Sequence, residues 1–285
     1  MWIWLHGLFG DDLDWRPVTD QLTELQHVSI VLPGHRSRPV QGAEGGPERR
    51  RRSGAARQAA GAHLMAPAAD FDDLVRATRQ RIAATLADHQ TDAWYLAGYS
   101  LGGRVALAIA LDRDPALPPP TALVLEGASP GIDDEDARAQ RRALDDERAV
   151  AIERDGLEPF LEQWYRQPLF AVTDDDARCA LVEERRHQDP AAMAAMIRLA
   201  SPGRVRSRWA DVPRLDIPCL YLAGSRDEVY TATARRFADA CPNAHARVVP
   251  DAGHNAHRDN PQAVADTIRQ LFGRAERPPA PMGTR

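Results

Sequence analysis

The stretch "LAGYSLGGRVAL", Leu96 to Leu107, places a serine at the corner between an apolar run and a helical one. Before it, "WYLA" (94–97) is short, apolar and aromatic, as a buried strand requires. After it, Val105, Ala106, Ile109 and Ala110 recur at helical spacing. The serine lies in Gly98-Tyr99-Ser100-Leu101-Gly102, a G-x-S-x-G pattern. Such a turn pushes a serine oxygen out above a sheet, with glycines where a Cβ would collide. A strand–turn–helix of this kind also occurs where the serine is only a turn residue, so the pattern needs partners elsewhere in the chain.

The rest of the chain repeats the alternation. Apolar runs at 2–5, 28–32, 94–97, 122–126, 219–224 and 246–250 are separated by helical patterns near 15–25, 70–88, 101–112, 231–240 and 261–272. Strands alternating with helices predict an α/β fold with a mostly parallel, doubly wound sheet and right-handed crossovers. The alternation breaks after Glu126. Residues 133–207 carry helical patterns and no strand, and read as a helical cap inserted over the ligand-binding end of the sheet. The core then comprises 1–132 and 208–273. Within the first part, 36–67 is rich in Arg, Gly, Ala and Pro without periodicity and reads as a disordered loop. The tail at 274–285 reads the same way.

Composition removes several classes of function. The net charge is −5 over 285 residues, and all 36 basic residues are arginine, so there is no general case for nucleic acid. The run Arg49 to Arg52 fits a solvated loop better than a binding patch. Cys179, Cys219 and Cys241 are far apart, which suits neither a disulfide framework nor a metal site. No apolar run reaches membrane-spanning length, and no leader pattern follows Met1, so the chain reads as soluble and cytoplasmic, a monomer or weak homo-oligomer.

The partners of Ser100 stand after later strands. "GSRDEVY" places Asp227 just beyond the run at 219–223, and "DAGHNAH" places His254 after that at 246–250. Glu228 is the rival carboxylate; Asp227 comes first and has the shorter, more easily held side chain. His257 is the rival imidazole; His254 directly follows the small residues Ala252 and Gly253. The order Ser, Asp, His at strand ends is that of an α/β-hydrolase. "LHGLFG" (5–10) leaves the first strand and should turn the Leu8 N–H toward the serine, forming an oxyanion hole with the Leu101 N–H. These residues relieve a serine of its proton; whether the oxygen then attacks a carbonyl or removes a proton beside one is left to the pocket.

"GYSLGGRVAL", "LVLEGASPGI", "QWYRQPLF" and "AGHNAHRDNP" together resemble the 2-succinyl-6-hydroxy-2,4-cyclohexadiene-1-carboxylate synthase family, α/β-hydrolase-fold lyases of menaquinone biosynthesis. The resemblance runs from Trp2 to about Phe272, interrupted at 36–67. It implies elimination of pyruvate from a cyclohexene bearing succinyl, carboxylate and enolpyruvyl groups, with no metal or organic cofactor. It also implies substrate-binding roles for Tyr99, Arg104, Arg141, Trp164 and Arg185. Forked, permanently charged donors suit a small anionic substrate with three carboxylates. Arg138, Arg142, Arg148 and Arg186, also in the cap, read as solvated helix faces.

Three departures stand out. The antiparallel strands that commonly precede "WIWLHG" are missing, which means either a minimal sheet or a start farther upstream. Leu8 stands where the family often has an aromatic residue. The 36–67 segment would lie near the pocket. The alternatives are a serine esterase or C–C bond hydrolase, for which an apolar cap is expected, and a non-catalytic binding protein, for which a lost triad residue is expected.

Overall fold

Each strand alternates its side chains between two hydrophobic layers, and that alternation fixes the architecture. The computed structural model describes residues 1–38, 68–170 and 174–272. In chain order, β1 is Trp2–Leu5, α1 Arg16–Thr19, β2 His27–Ile30, α2 Phe71–Asp88, β3 Tyr95–Tyr99, α3 Leu101–Leu111 and β4 Ala122–Glu126. Then come α4 Glu135–Asp155, α5 Leu157–Trp164, α6 Asp175–Arg185 and α7 Pro190–Leu199. The chain returns to the sheet with β5 Cys219–Gly224, α8 Glu228–Ala240, β6 Ala244–Val249, α9 Ala256–Asp259 and α10 Pro261–Phe272. The strands lie in the order β2-β1-β3-β4-β5-β6. Every neighbouring pair is parallel.

Ile3, Leu5, Leu96, Leu123, Leu125 and Tyr221 face one layer, which α2, α3 and α8 close with Leu74, Ile82, Val105 and Phe237. Trp2, Trp4, Tyr95, Ala97, Val124 and Leu220 face the other, closed by Val18, Val264 and Ile268 of α1 and α10. Covering both faces is what allows an all-parallel sheet to be stable. The second layer is strongly aromatic: Trp2 stacks on Tyr95 with ring centres 4.7 Å apart, and Trp4 meets Trp15 at 5.0 Å. The Trp15 indole N–H also donates to the Leu5 carbonyl at 2.9 Å, tying α1 to the end of β1.

Aspartates start the helices. Asp70, Asp134, Asp174 and Asp189 each accept the backbone N–H three residues on, at the heads of α2, α4, α6 and α7. Each such cap is worth about 1 kcal/mol. Gly156, at φ +89°, makes the corner between α4 and α5. The described residues between β4 and β5 form four helices, with short 3-10 turns at Pro168–Phe170 and Val212–Arg214, and α4 packs along α7.

Arg36 and Arg38, which composition places in a disordered loop, are tied into the fold. The Arg36 N–H donates to Gln188 and its guanidinium pairs with Asp189 at 2.8 Å. Arg38 pairs with Asp11 at 2.8 Å and Glu184 at 3.3 Å. These long-range ion pairs anchor residues 36 and 38 to the helical segment, which local composition could not reveal. Residues 39–67 and the tail at 274–285 lie outside the described residues. Among the described residues, no helix is long and apolar enough to cross a membrane.

Close packing at the centre of the sheet has a measurable consequence. A Cβ on Gly102, at the head of α3, would lie 2.4 Å from the His6 carbonyl oxygen and 2.5 Å from that of Leu5. Neither backbone group can move without breaking β1. Gly102→Ala should therefore lower the unfolding free energy by roughly 1–3 kcal/mol, read as an earlier urea midpoint with an unchanged slope. A wild-type midpoint would show that β1 can yield.

Candidate active site

Ser100 ends β3 in a backbone conformation that a non-glycine residue rarely adopts, φ +51° and ψ −109°. Such a residue costs on the order of 1–3 kcal/mol unless its surroundings hold it there. The surroundings do so from two sides. Its N–H donates to the Glu126 carbonyl at 2.8 Å, and its carbonyl accepts the Arg104 N–H at 3.0 Å, starting α3. Gly98 makes the sharp reversal possible, since a Cβ there would lie 2.4 Å from the Gly102 carbonyl oxygen.

The other two residues of the expected triad meet directly. Asp227 caps α8, its Oδ1 accepting the Tyr230 N–H at 3.0 Å, while its Oδ2 accepts the His254 Nδ1–H at 2.9 Å. Both side chains are buried. The helix cap thus holds the carboxylate still, and the carboxylate holds the imidazole. Glu228 is exposed at the start of α8. His257 belongs to a different pair, its Nδ1 lying 2.7 Å from Glu126 Oε1 in a fully buried contact. Ser100 and His254 line one cavity of about 130 Å³. No hydrogen bond joins them, and neither the serine hydroxyl nor His254 Nε2 has a partner among the described residues.

Leu8 lines the same cavity. Among the described residues, neither its N–H nor that of Leu101 donates to a protein acceptor. His6 fixes the loop that carries Leu8. Its Nε2 accepts the Leu32 N–H at 2.9 Å, so Nδ1 bears the proton and donates to the Gly7 carbonyl at 2.8 Å. Burial lowers its pKa, which favours this neutral form.

The arginines expected at the pocket are gathered on its wall. Arg104, Arg141 and Arg185 all line the cavity, with Tyr99 and Trp164. Arg104 donates to the Ala200 carbonyl and lies over the Phe71 ring. Burial, with Arg141 nearby, brings its pKa down to about 10. Arg141 pairs through Nε with Asp145 at 2.8 Å. Arg185 donates to Asp14 and, at 2.7 Å, to the Tyr165 hydroxyl, leaving its buried Nη1 without a partner. Trp164 packs edge-on to Phe9 at 5.5 Å and near Phe160 at 5.7 Å. The Tyr99 hydroxyl donates to Asn255, and burial pushes its pKa well above the usual range.

One expectation needs correcting. Arg148 is not on a solvated face: it lines the cavity, with its guanidinium carbon 4.9 Å from the Trp164 ring centre. Arg141, Asp145 and Arg148 are spaced i, i+4, i+7, one stripe of α4, and that spacing was available in the sequence. Arg138 and Arg142 instead pair with Glu135, and Arg186 with Glu183. Gly127, also missed, sits at φ +54°, and a Cβ there would lie 2.7 Å from the His254 ring. Among the described residues, no cluster of His, Cys, Asp and Glu could hold a metal ion.

An α/β-hydrolase family profile matches residues 2–267. A Salmonella schwarzengrund protein named 2-succinyl-6-hydroxy-2,4-cyclohexadiene-1-carboxylate synthase is 34% identical over 95% of this chain and 92% of its own. The chain belongs to that synthase family. A Salmonella heidelberg member of the family is 33% identical over the same shares. A solved structure described as MenH from S. aureus superposes with a TM-score of 0.79 and 25% identity, covering 97% of this chain and 94% of that one. An enol-lactonase from Burkholderia xenovorans, at TM-score 0.66 and 16% identity over 95% and 91% of the two chains, shares the fold.

The double duty of Asp227 separates stability from site geometry. Asparagine caps helices about as well as aspartate, so Asp227→Asn should keep the thermal midpoint within about 2 °C of wild type. It should also abolish the low-field proton resonance of His254 Nδ1–H and cut turnover by roughly a thousandfold or more. Unchanged turnover would remove Asp227 from the site.

Proposed function

We propose that the chain eliminates pyruvate from 2-succinyl-5-enolpyruvyl-6-hydroxy-3-cyclohexene-1-carboxylate, giving the product for which its Salmonella relatives are named. The observation that carries this reading is the wall of guanidinium groups facing the Ser100–His254 cavity. A substrate with three carboxylates needs such a wall, whereas an ester or ring-cleavage product with an apolar body does not. Arg104 and Arg141 lie close enough to oppose each other's charge. A bound carboxylate between them would relieve that repulsion and form charge-assisted hydrogen bonds.

The chemistry follows from the other residues. Asp227 fixes the His254 proton on Nδ1, so Nε2 is left to take the proton of Ser100. A hydrogen bond between them is expected to form around substrate, since contacts between catalytic groups commonly draw in when the complex forms. The serine oxygen removes the ring proton beside the succinyl ketone. Negative charge then moves to the ketone oxygen, where the Leu8 and Leu101 N–H groups donate to it. As the enolate collapses, the ring C–O bond breaks and the electron pair leaves with the enolpyruvyl oxygen. The proton that His254 took from Ser100 passes to the departing enolpyruvate, which becomes pyruvate; Ser100 keeps the ring proton, so no net proton or electron is gained or lost. Arg104, Arg141 and Arg185 hold the carboxylates, Trp164 lies against the ring, and Tyr99, fixed by Asn255, forms part of the wall. A cytoplasmic monomer or weak homo-oligomer acting on a small anion, without nucleic acid or membrane, fits this chemistry.

The competing reading is a serine hydrolase, and the two part at the serine. Ser100→Ala and His254→Ala should each abolish most pyruvate release from the enolpyruvyl substrate, and the double variant should lose little more. No covalent adduct on Ser100 should appear by mass spectrometry during turnover. Efficient hydrolysis of p-nitrophenyl esters with a trapped acyl-serine and no pyruvate would make the protein an esterase.

The arginine wall yields a second expectation. Arg104→Ala, Arg141→Ala and Arg185→Ala should each cost roughly 2–5 kcal/mol in kcat/KM, the loss of a charge-assisted contact to a desolvated carboxylate. Near-normal kcat/KM in all three would place the carboxylates elsewhere.

A further inference from the structure

Three observations on α4 concern contacts that the proposed chemistry does not use. Asp145 is almost fully buried, although it lies on a helix rich in charge. Its two oxygens are divided between two arginines: Oδ2 accepts from Arg141 Nε at 2.8 Å and Oδ1 from Arg148 Nη1 at 2.9 Å. Arg148 is itself tied down a second time, its Nη2 donating to Gln167 Oε1 at 2.8 Å, while its guanidinium lies over Trp164. Gln167 in turn donates to the Trp164 carbonyl at 2.9 Å.

The engagement of the two arginines is unequal. Arg141 is held only through Nε, so among the described residues neither of its Nη groups has a protein partner. Those two groups form the fork that binds a carboxylate in parallel. Both Nη groups of Arg148, by contrast, are occupied by Asp145 and Gln167. Arg148 therefore acts as a strap rather than a hand. It joins α4 to the turn after α5 and covers one face of the indole, a contact worth more in a partly desolvated site than on a surface.

We propose that Asp145 and Arg148 are positioning residues for substrate binding: Asp145 aims the free fork of Arg141 into the cavity, and Arg148 pins the Trp164 ring that lies against the substrate. The inference rests on the pyruvate-eliminating reading. It adds a determinant of substrate recognition that touches no reacting atom. A guanidinium on a flexible stem pays rotamer entropy on binding, and a buried carboxylate at its Nε removes much of that freedom beforehand. The cost falls on Asp145, which must be kept buried and charged between two cations.

The test is a double-mutant cycle on the full chain, reading kcat and KM for pyruvate release. Asp145→Asn retains one acceptor and loses the other, and should raise KM about tenfold while leaving kcat within about twofold. In an Arg141→Ala background the same change should add less than about twofold, because the fork it aims is gone. Arg148→Met should also raise KM, and Arg148→Lys should not restore it, since a compact ammonium cannot hold Asp145 and Gln167 together while also covering the indole. Additive effects of Asp145→Asn and Arg141→Ala, or a fall in kcat at constant KM, would overturn the proposal. If Asp145→Asn fails to fold by circular dichroism, Arg148→Met and Arg148→Lys decide alone: a wild-type KM in either overturns it. If the wild-type protein releases no pyruvate, calorimetric titration with benzene-1,2,4-tricarboxylate reads the same cycle as binding. Non-additive loss there supports the clamp although the reaction assignment has failed, and additive loss or unchanged binding overturns the clamp.

Discussion

A left-handed serine at the end of a central strand sets conditions that much of the molecule meets. Ser100 keeps its conformation because the Glu126 carbonyl takes its N–H and the first turn of α3 takes its carbonyl. That turn in turn lies so close to the end of β1 that residue 102 cannot carry a side chain, and so close to β3 that residue 98 cannot either. The same approach places the Leu101 N–H at the head of α3 beside the loop carrying Leu8, which the His6 ring holds to Leu32. Strain at one residue is thus opposed by strand pairing, helix initiation and a buried histidine together. The Ser100 oxygen and the expected charge-stabilising donors share one rigid frame.

Ion pairs join this frame to the helices above it. Asp14, after β1, is fully buried and pairs with Arg185 of α6 and, at 3.5 Å, with Arg258 of α9. Arg258 continues to Glu184 at 2.7 Å, and Glu184 to Arg38. Burial alone would raise the Asp14 pKa, but Arg185, followed by His257 and Arg258, draws it far below the usual carboxylate range. Removing one partner from such a buried set leaves another charge stranded, at a cost of about 3–5 kcal/mol. Arginine suits these positions better than lysine because one planar fork can serve two acceptors. Arg185 does this with Asp14 and Tyr165 and still has one buried nitrogen to spare.

Much of the fold was legible because it depends on local pattern. Alternation in the strands, the helical period after Ser100 and the break after Glu126 are all short-range signals. The placement of Ser100, Asp227 and His254 was legible for a related reason, since each follows a strand and parallel strands end at one edge. What escaped were facts of distance. Arg36 and Arg38 look like the start of a formless segment until Asp11, Glu184 and Asp189 are seen beside them. Arg148 looks solvated until Trp164 and Gln167, on the turn after α5, close over it. The choice between His254 and His257 rested on small neighbouring residues, but their roles are divided by two carboxylates far away in sequence, Asp227 and Glu126.

The same scattering of the site along the chain governs when it can first exist. Ser100 and the Glu126 carbonyl that restrains it come from the first half, while Asp227 and His254 come from loops that follow β5 and β6. The sheet grows outward from β3 through β4 and β5 to β6, so His254 is held only after the last strand has docked. Contacts of such long sequence separation form late in folding, because the loop between them must close first. A chain emerging from the ribosome would carry the α2–α3 layer of its early strands well before the His254 imidazole was seated, whereas the opposite layer waits for α10. Recovery of turnover during refolding would therefore time the final closure of the sheet, whereas helical signal would report its earlier stages.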